Sequence, residues 1–85
     1  MEHEEKIKAI AEHYGYEHQV GKMYEELSEL AVALTHKDEE NIIEELADVL
    51  NVAEQLAHLL GAKKKVREVM EVKLDRTLSR MHQIA

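Results

Sequence analysis

Two short runs of acids are the residues in this chain best placed to do chemistry. The first is Glu25-Glu26-Leu27-Ser28-Glu29 and the second Glu44-Glu45-Leu46-Ala47-Asp48. In each run the second Glu and the last acid stand three positions apart, so on a helix their side chains leave one face as neighbours. Only a short turn around Lys37-Asp38 separates the two segments, which therefore pack antiparallel. That packing gathers Glu26, Glu29, Glu45 and Asp48 into one nest of carboxylates. Four like charges in a partly desolvated cleft repel unless they are protonated or bound to cations. Hard oxygen ligands without His or Cys favour Mg²⁺, with Mn²⁺ as the second choice. The competing account is that Glu is a strong helix former and that these faces are solvated surface. Against it, each acid pair borders apolar residues, Met23, Leu27, Leu30 and Leu34 beside Glu26, and half-burying like charges without a cation is costly.

The elements that position these acids are helices. Apolar spacing marks four of them, at about 4–14, 17–36, 39–60 and 62–83. Gly15 and Gly61 each follow a helical pattern, where a residue with positive φ closes a helix. Asp38 is a candidate N-cap for the third helix, with Glu39 and Glu40 in its first turn, where negative charge suits the helix dipole. Proline is absent, and neither period-two alternation nor an Asn-Gly turn suggests a strand. The expected class is all-α, a four-helix bundle-like subunit. On the third helix Ile42, Leu46, Val49, Leu50, Ala53, Leu56, Ala57 and Leu60 share a broad apolar sector. Val52 and Leu59 fall on the acidic side, which implies that this side also faces something, a cleft or a second subunit.

The chain has 85 residues and reads as a single domain, 1–85, near the lower size limit for independent folding. It has no Cys, Phe or Trp, so its core is aliphatic and thin and no disulfide supports it. Scaffolds this small gain stability from a metal or from oligomerisation, and a homodimer or tetramer is expected. The net charge of −7 divides into −11 over residues 1–62 and +4 over residues 63–85. An acidic body argues against a nucleic acid polymer as partner, because phosphate-backbone binding draws on cationic surface. No apolar run approaches a membrane span and no signal peptide opens the sequence, so a cytoplasmic location with no membrane partner is expected.

The paired motif, Glu26-x-x-Glu29 followed after 15 residues by Glu45-x-x-Asp48, resembles that of the all-α nucleoside triphosphate pyrophosphohydrolases. This superfamily includes MazG, the dimeric dUTPases and the phosphoribosyl-ATP pyrophosphohydrolases. The stretches YEELSELAVAL and NIIEELADVLNVAEQL look most like the short MazG-like proteins, and the resemblance covers roughly residues 20–80. It implies hydrolysis of a nucleoside triphosphate to monophosphate and pyrophosphate, with Glu26, Glu29, Glu45 and Asp48 holding Mg²⁺ against the phosphates. Glu25 or Glu44 would orient or deprotonate the attacking water, and the sequence does not choose between them. A second-shell or plain surface role is open to both. In the family, basic residues of the helix after the second motif reach the phosphates; the matching segment is KLDRTLSR, which assigns Lys73 and Arg76, followed by Arg80. A solvated charged face is the plainer account of that segment.

Several residues carry two readings. Lys22, one turn before Glu26, is suited to a phosphate or to an i,i+4 ion pair. Asn51 shares the face of Asp48 and is suited to a base, a sugar or a metal-ligating carboxylate, or to burial as a simple amide. Tyr14, Tyr16 and Tyr24 read as core or interface residues, with stacking on a base as the alternative. The six His read as surface or interface residues, because a di-iron bundle needs Glu-x-x-His pairs that the two central helices lack. Two other functions compete: a phosphoribosyl-ATP pyrophosphohydrolase-like enzyme, and a non-catalytic helical oligomerisation or regulatory module whose acidic faces are surface.

Overall fold

The computed structural model describes residues 1–84, with only the backbone of Ile84; Ala85, the last residue of the expected domain, lies outside them. Four helices run in order: α1 (His3–Tyr14), α2 (Tyr16–His36), α3 (Glu39–Leu59) and α4 (Lys63–Ile84). No strand occurs among the described residues, and no helix is long and apolar enough to cross a membrane.

The helix ends follow local chemistry. Glu2 and Glu5 close a capping box at the start of α1. Gly15 takes φ 84° and returns its N–H to Ala11 O at 2.8 Å, so α2 starts at the next residue. Asp38 caps α3 as expected, its carboxylate accepting from Asn41 N–H at 3.4 Å. Before it, Lys37 holds a left-handed conformation, φ 57°, that the sequence does not announce; a two-residue connection between antiparallel helices forces it. Gly61, φ 65°, ends the third helical segment, with Ala62 N–H reaching back to Ala57 O at 2.9 Å.

α2 and α3 make the most extensive contact, and α1 packs mainly on α3. Two His–carboxylate pairs hold α1 in place: His3 Nε2 to Glu54 at 3.1 Å and His58 Nε2 to Glu12 at 2.9 Å. The anchor points are nine residues apart on α1 and four apart on α3. Glu4 and Lys63 add a third link, between α1 and the start of α4. The His expected at a surface or interface thus include two that join helices.

Apart from the Lys63–Glu4 pair, α4 packs only on α3 among the other helices and then extends away from them. The radius of gyration is 15.5 Å, against about 12 Å for a compact chain of this length. Within one chain the four helices therefore do not close into a bundle. Three form a cluster and the fourth projects from it.

The core is thin, as composition requires. Ile7, Ala11, Ala33 and Val52 are its buried apolar side chains, and Gln19, Glu26 and Gln55 are buried with them. Val52 and Gln55 belong to the acidic side of α3, so it is this side that meets α1 and α2. Much of the opposite, apolar side points outward, with Leu46 44% and Leu50 62% exposed. Leu27 and Leu34 on α2, and Val66, Met70, Leu74, Leu78 and Met81 on α4, are also exposed.

Candidate functional site

The acidic side of α3 faces α2 across their antiparallel contact, and there the two motifs meet. One carboxylate oxygen from each of Glu26, Glu29 and Glu45 lies within 4.8 Å of the others. Asp48 lines the same groove as Glu26. Glu26 is 4% exposed, Glu45 is half-buried, and Glu29 and Asp48 are open to solvent.

The electrostatics are those of crowded anions. Burial, followed by the hydrogen bond and charge of Glu29 and the charge of Glu26, pushes the Glu45 carboxyl up to about 7. Asp48 is also raised, by burial and then by the Glu26 charge, with Lys22 opposing the shift. Lys22 is raised in turn, chiefly by its hydrogen bond to Glu26 and the Glu25 charge. Its Nζ lies 3.2 Å from Glu26 Oε1 and 3.9 Å from Glu25 Oε2, so the expected i,i+4 pair is present.

One cation from Lys22 does not satisfy this cluster. Glu26 Oε2 and Glu45 Oε2 are both buried without a hydrogen-bond partner. Buried carboxylate oxygens left in that state are costly, and both belong to the residues of the acid cluster. The donor set is oxygen only, and a divalent ion with oxygen ligands at about 2.0–2.6 Å spans it after small side-chain rotations. The residues therefore fit a hard divalent cation.

A groove of about 450 Å³ opens beside the cluster, between α1, α2 and α3. Lys22, Glu25, Glu26, Asp48 and Asn51 line one part of it; Ile10, Tyr14, His18, Gln19, Val52 and Gln55 line the rest. Glu29 and Glu45 face a second, smaller groove of about 330 Å³ with Ser28, Val32, Ala33, His36 and Asn41. The acids thus form the ridge between two openings.

Most of the residues selected by type and spacing are brought together here: Lys22, Glu25, Glu26, Glu29, Glu45, Asp48 and Asn51. Glu44 is exposed and lines neither groove. Lys73 and Arg76 are not at the cluster within this chain. They line a shallow depression on α4 with Lys65, Glu68, Val69 and Val72, because α4 leaves the other helices after Gly61. Of the tyrosines, only Tyr14 reaches the main groove. It stacks on His18 at 4.7 Å with 20° between the rings.

Sequence reasoning did not single out Gln19 and Gln55. They are 3% and 5% exposed, and Gln19 Nε2 donates to Gln55 Oε1 across α2 and α3. His18 Nδ1 stands 2.7 Å from Gln19 Oε1. The available signal was Gln55 at seven residues after Asp48 and three after Val52, on the same side of α3.

The family model of the MazG nucleotide pyrophosphohydrolase domain matches residues 14–82, which takes in both acid pairs, the groove residues from Tyr14 onward and most of α4. No curated protein and no solved structure matches the chain. With four helices, two facing acid pairs and a match over most of its length, the chain belongs to the MazG nucleotide pyrophosphohydrolase family.

Proposed function

We propose that this chain hydrolyses a nucleoside triphosphate between its α- and β-phosphates, giving the monophosphate and pyrophosphate, and that it requires a divalent cation. The observation that carries the reading is the pair of buried, unpartnered oxygens, Glu26 Oε2 on α2 and Glu45 Oε2 on α3, in a cluster whose carboxylates come within 4.8 Å of one another. Glu26, Glu29, Glu45 and Asp48 are the ligands, and Mg²⁺ is the expected metal, with Mn²⁺ able to replace it. When bound, the cation neutralises triphosphate charge and makes water a better nucleophile.

The chain's own residues supply the remaining functions. Glu45 and Asp48, both proton-holding at low pH, give up those protons when the site is loaded. Lys22 is held by Glu26 at the mouth of the groove and has two spare N–H donors for a phosphate oxygen. Glu25 lines the same groove, and its carboxylate is the one we assign to orient the attacking water and accept its proton. Glu44, pointing away, is a surface residue in this reading. Asn51 lies on the groove wall, where its amide meets sugar or base.

The apolar surfaces of α2, α3 and α4 lie uncovered in the single chain, and a homodimer or a tetramer of dimers covers them. Lys73 and Arg76 of α4 then meet the phosphates from a neighbouring copy. The test is pyrophosphate release from a panel of nucleoside triphosphates with and without Mg²⁺ or Mn²⁺. Metal-dependent release from at least one nucleotide is expected. No release from any, together with no rise in melting temperature on adding metal, overturns the proposal.

A further inference from the structure

The half of the groove away from the acids has a polar floor inside an otherwise apolar wall. Its centre is Gln55, buried on α3 between Val52 and Leu59. Buried amides require partners, and Gln55 has half of what it needs. Its Oε1 accepts from Gln19 Nε2, so the amide has its N–H donors left to offer the groove that it lines.

A relay holds this orientation when His18 carries its proton on Nδ1. His18 is held flat against Tyr14, and its Nδ1 lies 2.7 Å from Gln19 Oε1. With the proton on Nδ1, His18 donates to that oxygen, which turns the Gln19 NH₂ toward α3. That NH₂ in turn claims the Gln55 oxygen. An isolated glutamine could present either end of its amide, because a flip exchanges donor and acceptor. With His18 in that tautomer and Gln19 held by it, a flip of Gln55 would set two NH₂ groups against each other.

We propose that Gln55 reads the base of the nucleotide, through its side-chain N–H groups, and selects bases that turn a carbonyl oxygen toward α3. Uracil, thymine and guanine do so with O4 or O6, whereas adenine places an amino group at the equivalent position and meets donor with donor. His18 and Gln19 are positioning residues that hold the amide in its donating orientation. The volume, about 450 Å³, is within the range of about 300–1,000 Å³ typical of small-ligand sites. The groove runs from Lys22 and the acids, suited to the triphosphate, to Gln55. This inference rests on the nucleotide reading above and names its base preference.

The test uses the full chain with Mg²⁺ and two readouts. The first is kcat/KM for ATP, GTP and UTP; the second is calorimetric affinity for their non-hydrolysable α,β-methylene analogues. The wild type should favour UTP and GTP over ATP by about tenfold, the worth of one well-placed hydrogen bond. Gln55→Leu should bring the ratios close to one, with the change appearing in KM. Gln55→Glu should reverse the preference toward ATP, and Gln19→Leu should weaken it. Far-ultraviolet circular dichroism checks that each variant is folded, and the wild-type ratios test the idea even where a variant is not. A wild type that favours ATP, or folded Gln55 variants with unchanged ratios in both readouts, overturns the inference. Binding with the expected base order but without turnover upholds the inference and places the failure in the hydrolytic reading. Absence of both binding and turnover overturns the two together.

Discussion

Lys22 Nζ lies 3.2 Å from Glu26 Oε1, while the other oxygen of the same carboxylate is buried without a partner. One side of Glu26 is thus satisfied by its own helix, and the other has no partner among the described residues. The arrangement separates two forces that an acidic cluster normally mixes. Lys22 gives the Glu26 carboxylate a cationic partner from its own helix, and the free oxygen retains capacity to bind. Lys22→Met should lower the melting temperature of the metal-free protein at pH 8, because Glu26 loses its only cation. Added Mg²⁺ should recover most of that loss. A variant as stable as the wild type without metal would show that the pair has no stabilising effect.

Glu45 provides a sharper test because its proposed role as ligand and its cost to the metal-free fold have opposite signs. Glu45→Gln keeps the size and hydrogen-bonding reach of the side chain but removes a charge crowded by Glu29 and Glu26. The variant should melt higher than the wild type in chelator at pH 8. It should also lose the Mg²⁺-induced rise and about 100-fold or more in kcat/KM, as expected when a metal ligand that serves catalysis is removed. Asp48→Asn should behave similarly with a smaller stability gain. Retained activity in both variants would exclude these two side chains as ligands.

The same shift sets a pH dependence. The Glu45 carboxyl is raised from its ordinary value of 4.5 to about 7 in the folded chain. Between those limits the folded state binds a proton that the unfolded state has released, so stability falls as pH rises. The contribution of Glu45 is complete below about pH 4.5 and lost above about 7, and Asp48, raised in the same direction, adds to it. Metal binding requires the deprotonated form. Melting curves in chelator should therefore show this part of the stability declining from pH 5 to pH 8. The stabilisation by Mg²⁺ should grow over the same interval. A Mg²⁺-induced rise equal at pH 5 and pH 8 would disprove the assignment of Glu45 as the titrating ligand.

Helix number, helix ends and the meeting of the acid pairs were legible because they depend on local chemistry. Asp38 caps α3 with its own side chain, and Gly15 and Gly61 sit where positive φ is needed. Spacing places Glu26 with Glu29, and Glu45 with Asp48, on common faces, and a two-residue turn brings those faces together. Replacing the cap is a direct check: Asp38→Ala should cost about 1 kcal/mol in chemical denaturation. What could not be read is how each helix is rotated against its neighbours. Periodicity assigned Leu46 and Leu50 to the apolar sector of α3, yet both are exposed, and Val52 and Gln55 are buried instead. The rotation is decided by pairings distant in sequence, Gln19 with Gln55, His3 with Glu54 and Glu12 with His58. Polar residues at those positions resemble surface until their partners are known. The departure of α4 was hidden for the same reason, since its apolar residues reveal a face but not what lies on it.

That uncovered face leads to the last prediction. Leu50 is 62% exposed, with Leu46 one turn away at 44%, and both flank a helix whose other side is already occupied by α1 and α2. Removing such side chains from water is worth about 25 cal/mol per Å² of apolar area, so leaving them uncovered forfeits stability that a thin core cannot replace. In the proposed oligomer a second copy covers the α3 face and restores it. Sedimentation should therefore give a mass at least twice the 9.8 kDa of one chain. Leu50→Asp should shift the species toward one chain at micromolar concentration, lower the melting temperature, and reduce turnover with it, while leaving the acid pairs untouched. A wild type that sediments as a single chain and hydrolyses nucleotides at full rate would show that the apolar face serves some other purpose.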